Sequence, residues 1–104
     1  MSLGPEKSVL SLMLQNPREF IPRAIGKRLK PREFIHPDHA TIYKILLEEF
    51  KEGKQIALVA LVQDLLDRGM ISRTLTLPFL ADLYTFAATP GHFDGHLMRM
   101  RGRE

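Results

Sequence analysis

The run from Pro37 to Glu52 constrains the fold more than any other stretch of this chain. On a helical wheel Thr41, Lys44, Glu48, Lys51 and Glu52 gather on one polar strip. Ala40, Ile42, Tyr43, Ile45, Leu46, Leu47 and Phe50 occupy most of the remaining circumference, with Glu49 as an intruder among them. A surface helix needs an apolar stripe of only about 100°. A helix apolar over much more than that has neighbours on at least two sides, so this run is expected to be the central helix of an all-helical domain. Pro37 suits the first helical position, and Asp38 complements the helix dipole in the first turn. Gly53 suits the left-handed turn that ends a helix.

The rest of the chain supplies partners with the same period. Pro5 to Gln15 reads as a helix with Val9, Leu10, Leu12, Met13 and Leu14 inward and Ser8, Ser11 and Gln15 on the other side. Asn16-Pro17 ends it, because proline pushes the residue before it out of the helical region. A second helix is expected from Pro17 to about Leu29, burying Phe20, Ile21, Ala24 and Ile25; Pro22 falls in its first turns and Gly26 weakens its far end. The fourth spans Ala57 to Arg68 with Leu58, Val59, Leu61, Val62, Leu65 and Leu66 on its apolar face, and Gly69 closes it. No Ser, Thr, Asp or Asn stands near Ile56–Leu58 to cap its start. After a loop from Met70 to Thr76, a fifth helix runs from Pro78 to about Ala88. A last piece from His92 to Arg103 has Phe93, Leu97, Met98 and Met100 apolar. Nothing alternates with strand period. The expected fold is all-α, a small orthogonal bundle of about five to six helices. Residues 1–4 are read as an expression remnant or disordered leader, and residues 5–104 as the domain. The five letters PREFI occur at both Pro17–Ile21 and Pro31–Ile35, which is read as coincidence and not as a repeat.

Composition narrows the chemistry. A chain of 104 residues, 44% hydrophobic and 26% charged, makes one globular domain. It has no cysteine, which excludes disulfides and thiolate chemistry and fits a cytoplasmic setting. No apolar run reaches the ~18 residues of a membrane helix. The glycines form neither G-x-x-x-x-G-K-[ST] nor G-x-G-x-x-G, so the chain carries no phosphate-cradling engine of its own. No nucleophile stands beside an evident base, and no cofactor is implied. His92 and His96 have a metal-compatible spacing, but the sequence names no third ligand, so they read as two exposed histidines. His36 and His39 flank Asp38 and read as helix-entry residues before ligands.

Two surface features remain. Arg23, Lys27, Arg28, Lys30 and Arg32 concentrate positive charge, a candidate phosphate-facing patch whose simpler reading is a solvated face. On the fifth helix Phe79, Leu83, Tyr84 and Phe86 spread over more of the circumference than one packing side can bury. They form a candidate partner interface, with Tyr84 expected as the exposed anchor and Phe86 as core.

The order of these features resembles the N-terminal domain of bacterial replicative DNA helicases of the DnaB family. The run EKSVLSLMLQN from Glu6 to Asn16 is similar to that family's first helix. Phe34, His39, Ile42 and Tyr43 resemble its entry to the third helix. Gly53, Ile56, Leu58, Leu61, Leu65, Gly69 and Met70 follow its G-x-P-I-D-x-x-x-L-x-x-x-L-x-x-x-G-x-[LI] run. Phe79-Leu80-Ala81-Asp82-Leu83 resembles its [FY]-L-x-x-L, and Thr89-Pro90 its next turn. Gln55 and Ala57 replace the family's proline and aspartate, and Thr74 to Leu77 stand where it has Gly-Gly, which suggests a divergent phage, plasmid or specialised relative. The resemblance implies a non-catalytic interaction domain in DNA replication. It would self-associate as a dimer or hexamer collar and dock primase or a helicase loader within a primosome. DNA contact would be weak or indirect, and the ATPase would lie C-terminal in a longer protein unless the chain is a stand-alone relative. The competing class is a small basic nucleic-acid-binding module, since Ala57–Leu66 and Pro78–Ala88 bear a faint likeness to a winged helix-turn-helix pair. A purely structural fragment is the third possibility.

Overall fold

In a computed structural model, residues 3–86 and 89–102 are described. They form six α-helices: α1 (Gly4–Gln15), α2 (Pro17–Gly26), α3 (Pro37–Lys51), α4 (Leu58–Asp67), α5 (Leu77–Tyr84) and α6 (Phe93–Met100). Single 3-10 turns at Pro31–Glu33 and Pro90–His92 lead into α3 and α6. Among the described residues there is no strand, so the fold is all-α as the periodicity requires.

The hub is α1, not α3. It packs against α2, α3, α5 and α6. Val9, Leu10, Leu12, Met13 and Leu14 are all buried, and so are Glu6, which shares their face, and Ser8 and Ser11 on the nominally polar side. Serine is small enough to let a neighbouring helix close in, so a wheel that scores hydroxyls as outward misjudges this element. The long apolar arc of α3 is covered by α1, α2 and the Pro31–Glu33 turn. There Tyr43, fully buried, donates its hydroxyl to the Leu29 carbonyl at 2.9 Å, and its ring lies 5.3 Å from that of Phe34. Phe20 of α2 and Phe93 of α6 meet at 4.9 Å.

Helix ends follow local chemistry. α3 and α4 finish in left-handed Gly53 and Gly69, with Lys54 N–H donating to the Glu49 carbonyl and Met70 N–H to that of Leu65. α2 stops at Gly26, short of Leu29, and uses the same motif without glycine at its left-handed position. Arg28 adopts φ 60°, its N–H reaches the Ile25 carbonyl, and Leu29 N–H reaches that of Ala24. α4 begins after Ala57, which stands at the cap in extended conformation and offers no side-chain acceptor. By contrast Thr76 caps α5 by accepting from Phe79 N–H at 3.1 Å.

Several expected core positions lie at the surface. Ile25, Val59, Leu66 and Met98 are exposed, because short helices on the rim of a small bundle bury one side only. α5 ends at Tyr84 and α6 at Met100, each shorter than expected; Ala87, Ala88 and Arg103, and with them the expected ends of both helices, fall outside the described residues. α1 starts at Gly4, and Met1 and Ser2 also fall outside.

Candidate functional site

α5 carries the expected interface residues, and the fold sorts them. Leu80 and Leu83 are buried in the core. Phe79 and Tyr84 are half-buried and packed against it. The Tyr84 carbonyl accepts from Ser11 Oγ at 3.1 Å and from Gln15 Nε2 at 2.8 Å, which ties the last turn of α5 to α1. Phe86 lies beyond the helix end and is exposed, so an arc drawn for a longer helix does not describe it. The expected assignment is reversed: Phe86 is the more exposed aromatic and Tyr84 the more enclosed.

Phe86 forms one wall of a cleft of about 110 Å³ shared with Lys7, Phe79, Asp82 and Leu83. The Lys7 ammonium stands 5.7 Å from the centre of the Phe86 ring, close enough for a cation–π contact. The cleft thus has an apolar floor with one basic and one acidic side chain among its lining residues.

Beside it lies a polar arrangement that pattern reading missed. Glu6, fully buried on α1, accepts from Ile35 N–H at 2.6 Å, from His36 N–H at 3.3 Å and from His39 Nδ1 at 2.8 Å. The His39 ring stacks 4.5 Å from that of His36 and lies 5.8 Å from that of Phe79. Burial lowers the pKa of His39, and Glu6 only partly opposes it. His39 is a helix-entry residue in the first turn of α3, but a buried one, and it joins α1 to the start of α3. The isolated acid on the rim of the α1 apolar run was the available signal, but a single glutamate does not name its partner.

The remaining candidates stay apart. His92 is exposed and His96 half-buried, their rings 6.3 Å apart, with Arg99 Nη2 3.3 Å from His96 Nδ1. Burial lowers the pKa of His96. Among the described residues no group of three or more His, Cys, Asp or Glu side chains is placed to hold a metal. Of the basic patch, Arg23 pairs with Glu19 at 3.6 Å, while Lys27, Arg28, Lys30 and Arg32 are exposed. Glu33 stands among them and binds Arg101 at 2.8 Å. Burial would raise the Glu33 pKa, but bonds from Lys30 N–H and Arg101 outweigh it and hold the carboxyl low. Facing outward from α5 are Ala81 and Asp82, with Thr85 just after, none of them a base-reading or phosphate-binding cation. Among the described residues no helix is long and apolar enough to cross a membrane.

Comparison with known proteins agrees with this architecture. The family described as DnaB-like helicase N terminal domain matches residues 1–101. The crystal structure of the N-terminal domain of DnaB helicase from Mycobacterium tuberculosis is similar, with a TM-score of 0.86 at 25% identity, over 99% of this chain and 70% of that one. No curated protein sequence matches the chain. With a fold match of that extent and a family match over nearly every residue, the chain belongs to the DnaB-like helicase N-terminal domain family.

Proposed function

We propose that this chain is a non-catalytic interaction domain of a replicative DNA helicase, one that self-associates in the collar and docks primase or a helicase loader. The observation that supports it best is the cleft at Phe86, where an exposed aromatic ring, a half-buried one, Lys7 and Asp82 combine at the surface between α1 and the end of α5. Aromatic anchors beside a small pocket are the usual energetic centre of protein–protein contacts. ATP hydrolysis and unwinding are assigned to a separate domain, because this sequence lacks a phosphate loop. Leu83 supports the cleft from within the core, and Phe79 and Phe86 make the contact.

The test is a Phe86→Asp variant of the chain, measured by light scattering for self-association and by surface plasmon resonance against the cognate primase. The variant is expected to keep its far-ultraviolet spectrum and lose association with one or both. Unchanged association, or binding to duplex DNA that falls steeply with salt and depends on Arg23, Lys27, Arg28, Lys30 and Arg32, would replace this reading with the nucleic-acid-binding one.

A further inference from the structure

A second cleft, of about 580 Å³, opens where the junction of α1 and α2 faces the segment following α3. It shares no lining residue with the one at Phe86. Its volume lies in the range of ligand sites, about 300–1,000 Å³. Pro17, Phe50 and Ile56, each half-buried, give it an apolar floor. Arg18 and Lys54 bring positive charge. Lys54 is engaged by Glu52 at 3.1 Å, but Arg18 is exposed and has no hydrogen bond or ion pair among the described residues. Its sequence neighbour Glu19 is taken by Arg23 and Asn16.

The backbone along this cleft is unusual for so helical a chain. Between the Schellman turn of α3 and the first turn of α4, the N–H groups of Gln55, Ile56 and Ala57 bond to nothing among the described residues. The Gln55 and Ile56 carbonyls are equally unpaired there, and Ala57 is extended at φ −156°, ψ 160°. A short edge of unpaired backbone, extended at Ala57, therefore lies beside these apolar side chains, with the Arg18 guanidinium also lining the cleft.

We propose that this cleft binds an extended acidic peptide segment of a protein partner. The peptide backbone pairs with residues 55–57 as an added strand. One of its apolar side chains enters the Pro17–Phe50–Ile56 floor, and a neighbouring carboxylate takes the bidentate donors of Arg18. Single-stranded nucleic acid would match the charge but not the site, since it needs exposed aromatic faces for base stacking and Phe50 is half-buried among other side chains. Gln55 supplies a backbone donor that a proline at this position would lack.

Panning a degenerate eight-residue peptide library against the chain, followed by anisotropy of the enriched peptides, tests this. Enriched sequences should place Asp or Glu beside an apolar residue and should shift the amide resonances of Gln55 and Ile56. Arg18→Glu should weaken them about tenfold or more, the scale of a lost charge-assisted bond, with an unchanged melting curve. Gln55→Pro should weaken them too, while Phe86→Asp should not. The proposal is overturned if no sequence family enriches, or if the enriched peptides lack acids. It is equally overturned if Arg18→Glu leaves affinity intact, or if an oligothymidine outcompetes the peptides at these resonances.

Discussion

Glu49 of α3 and Asp64 of α4 stand close enough for each carboxyl to shift the titration of the other. Glu49 is only 2% exposed. Two carboxylates can only accept, so if both were charged Glu49 Oε1 and Asp64 Oδ2 would have no donor among the described residues. One shared proton resolves this. Burial, together with the Asp64 charge, pushes the Glu49 pKa up to about 7, against a pull from Lys54 and Arg68. Asp64 is held below its ordinary range by the bond from Glu49 and by Arg68, which lies 3.0 Å from Asp64 and 2.8 Å from Glu48.

A carboxyl whose folded pKa is raised binds its proton more tightly folded than unfolded. Its contribution to stability is therefore present below the ordinary carboxyl range and is lost as pH rises to about 7. Glu49→Gln supplies a permanent donor to Asp64. At about pH 8 the variant is expected to be more stable than the parent by on the order of 1–2 kcal/mol, and the gain should fade toward about pH 5. His39, with its lowered pKa, gives both proteins the same opposing trend, so the difference between their urea midpoints isolates Glu49. A difference that does not change with pH would mean that Glu49 is ionised throughout.

Ala57 stands at the cap of α4 and its side chain accepts nothing, so the first amides of that helix have no side-chain partner. Ala57→Asp places an acceptor there and a negative charge at the positive end of the dipole. The expected gain is about 1 kcal/mol, read as a raised thermal midpoint. A lowered midpoint would show that the half-buried Ala57 side chain has no room to grow.

Arg28 holds a left-handed conformation at φ 60° that a side chain strains, and its own side chain makes no bond among the described residues. Arg28→Gly removes the strain but adds freedom to the unfolded chain, so the net gain should be about 0.5–1 kcal/mol. Chemical denaturation measures it, and any loss of stability would assign the arginine a contact in solution.

Helix number and order were legible because apolar spacing and proline or glycine punctuation agree at nearly every boundary. What was not legible is context. The letters PREFI form the first turns of α2 at Pro17, where Ile21 is fully buried, and a 3-10 turn at Pro31, where Ile35 is 52% exposed. Identical local propensity gave two structures because tertiary context differs: the first copy lies chiefly on α1 and also on α3, whereas the second lies as a single turn against α3. Polar residues were the other gap. Glu6, Ser11, His39 and Glu49 are buried through bonds or small size that a hydropathy pattern cannot pair across the chain. The Phe86 cleft was half legible: its aromatic residues stood out, but their exposure depends on α5 stopping at Tyr84.

That stop leads to a direct comparison of Tyr84 and Phe86. The Tyr84 side chain packs against the core, so Tyr84→Ala is expected to cost about 1–2 kcal/mol, below the figure for a fully buried aromatic. The bonds from Ser11 and Gln15 go to its backbone carbonyl and survive the change. Phe86 is exposed and beyond the helix, so Phe86→Ala should move stability by no more than about 0.5 kcal/mol. Urea denaturation of both variants separates a supporting residue from a contacting one. If Phe86→Ala destabilises the domain as much as Tyr84→Ala does, Phe86 is part of the fold, and a loss of partner binding on its mutation would no longer locate the interface.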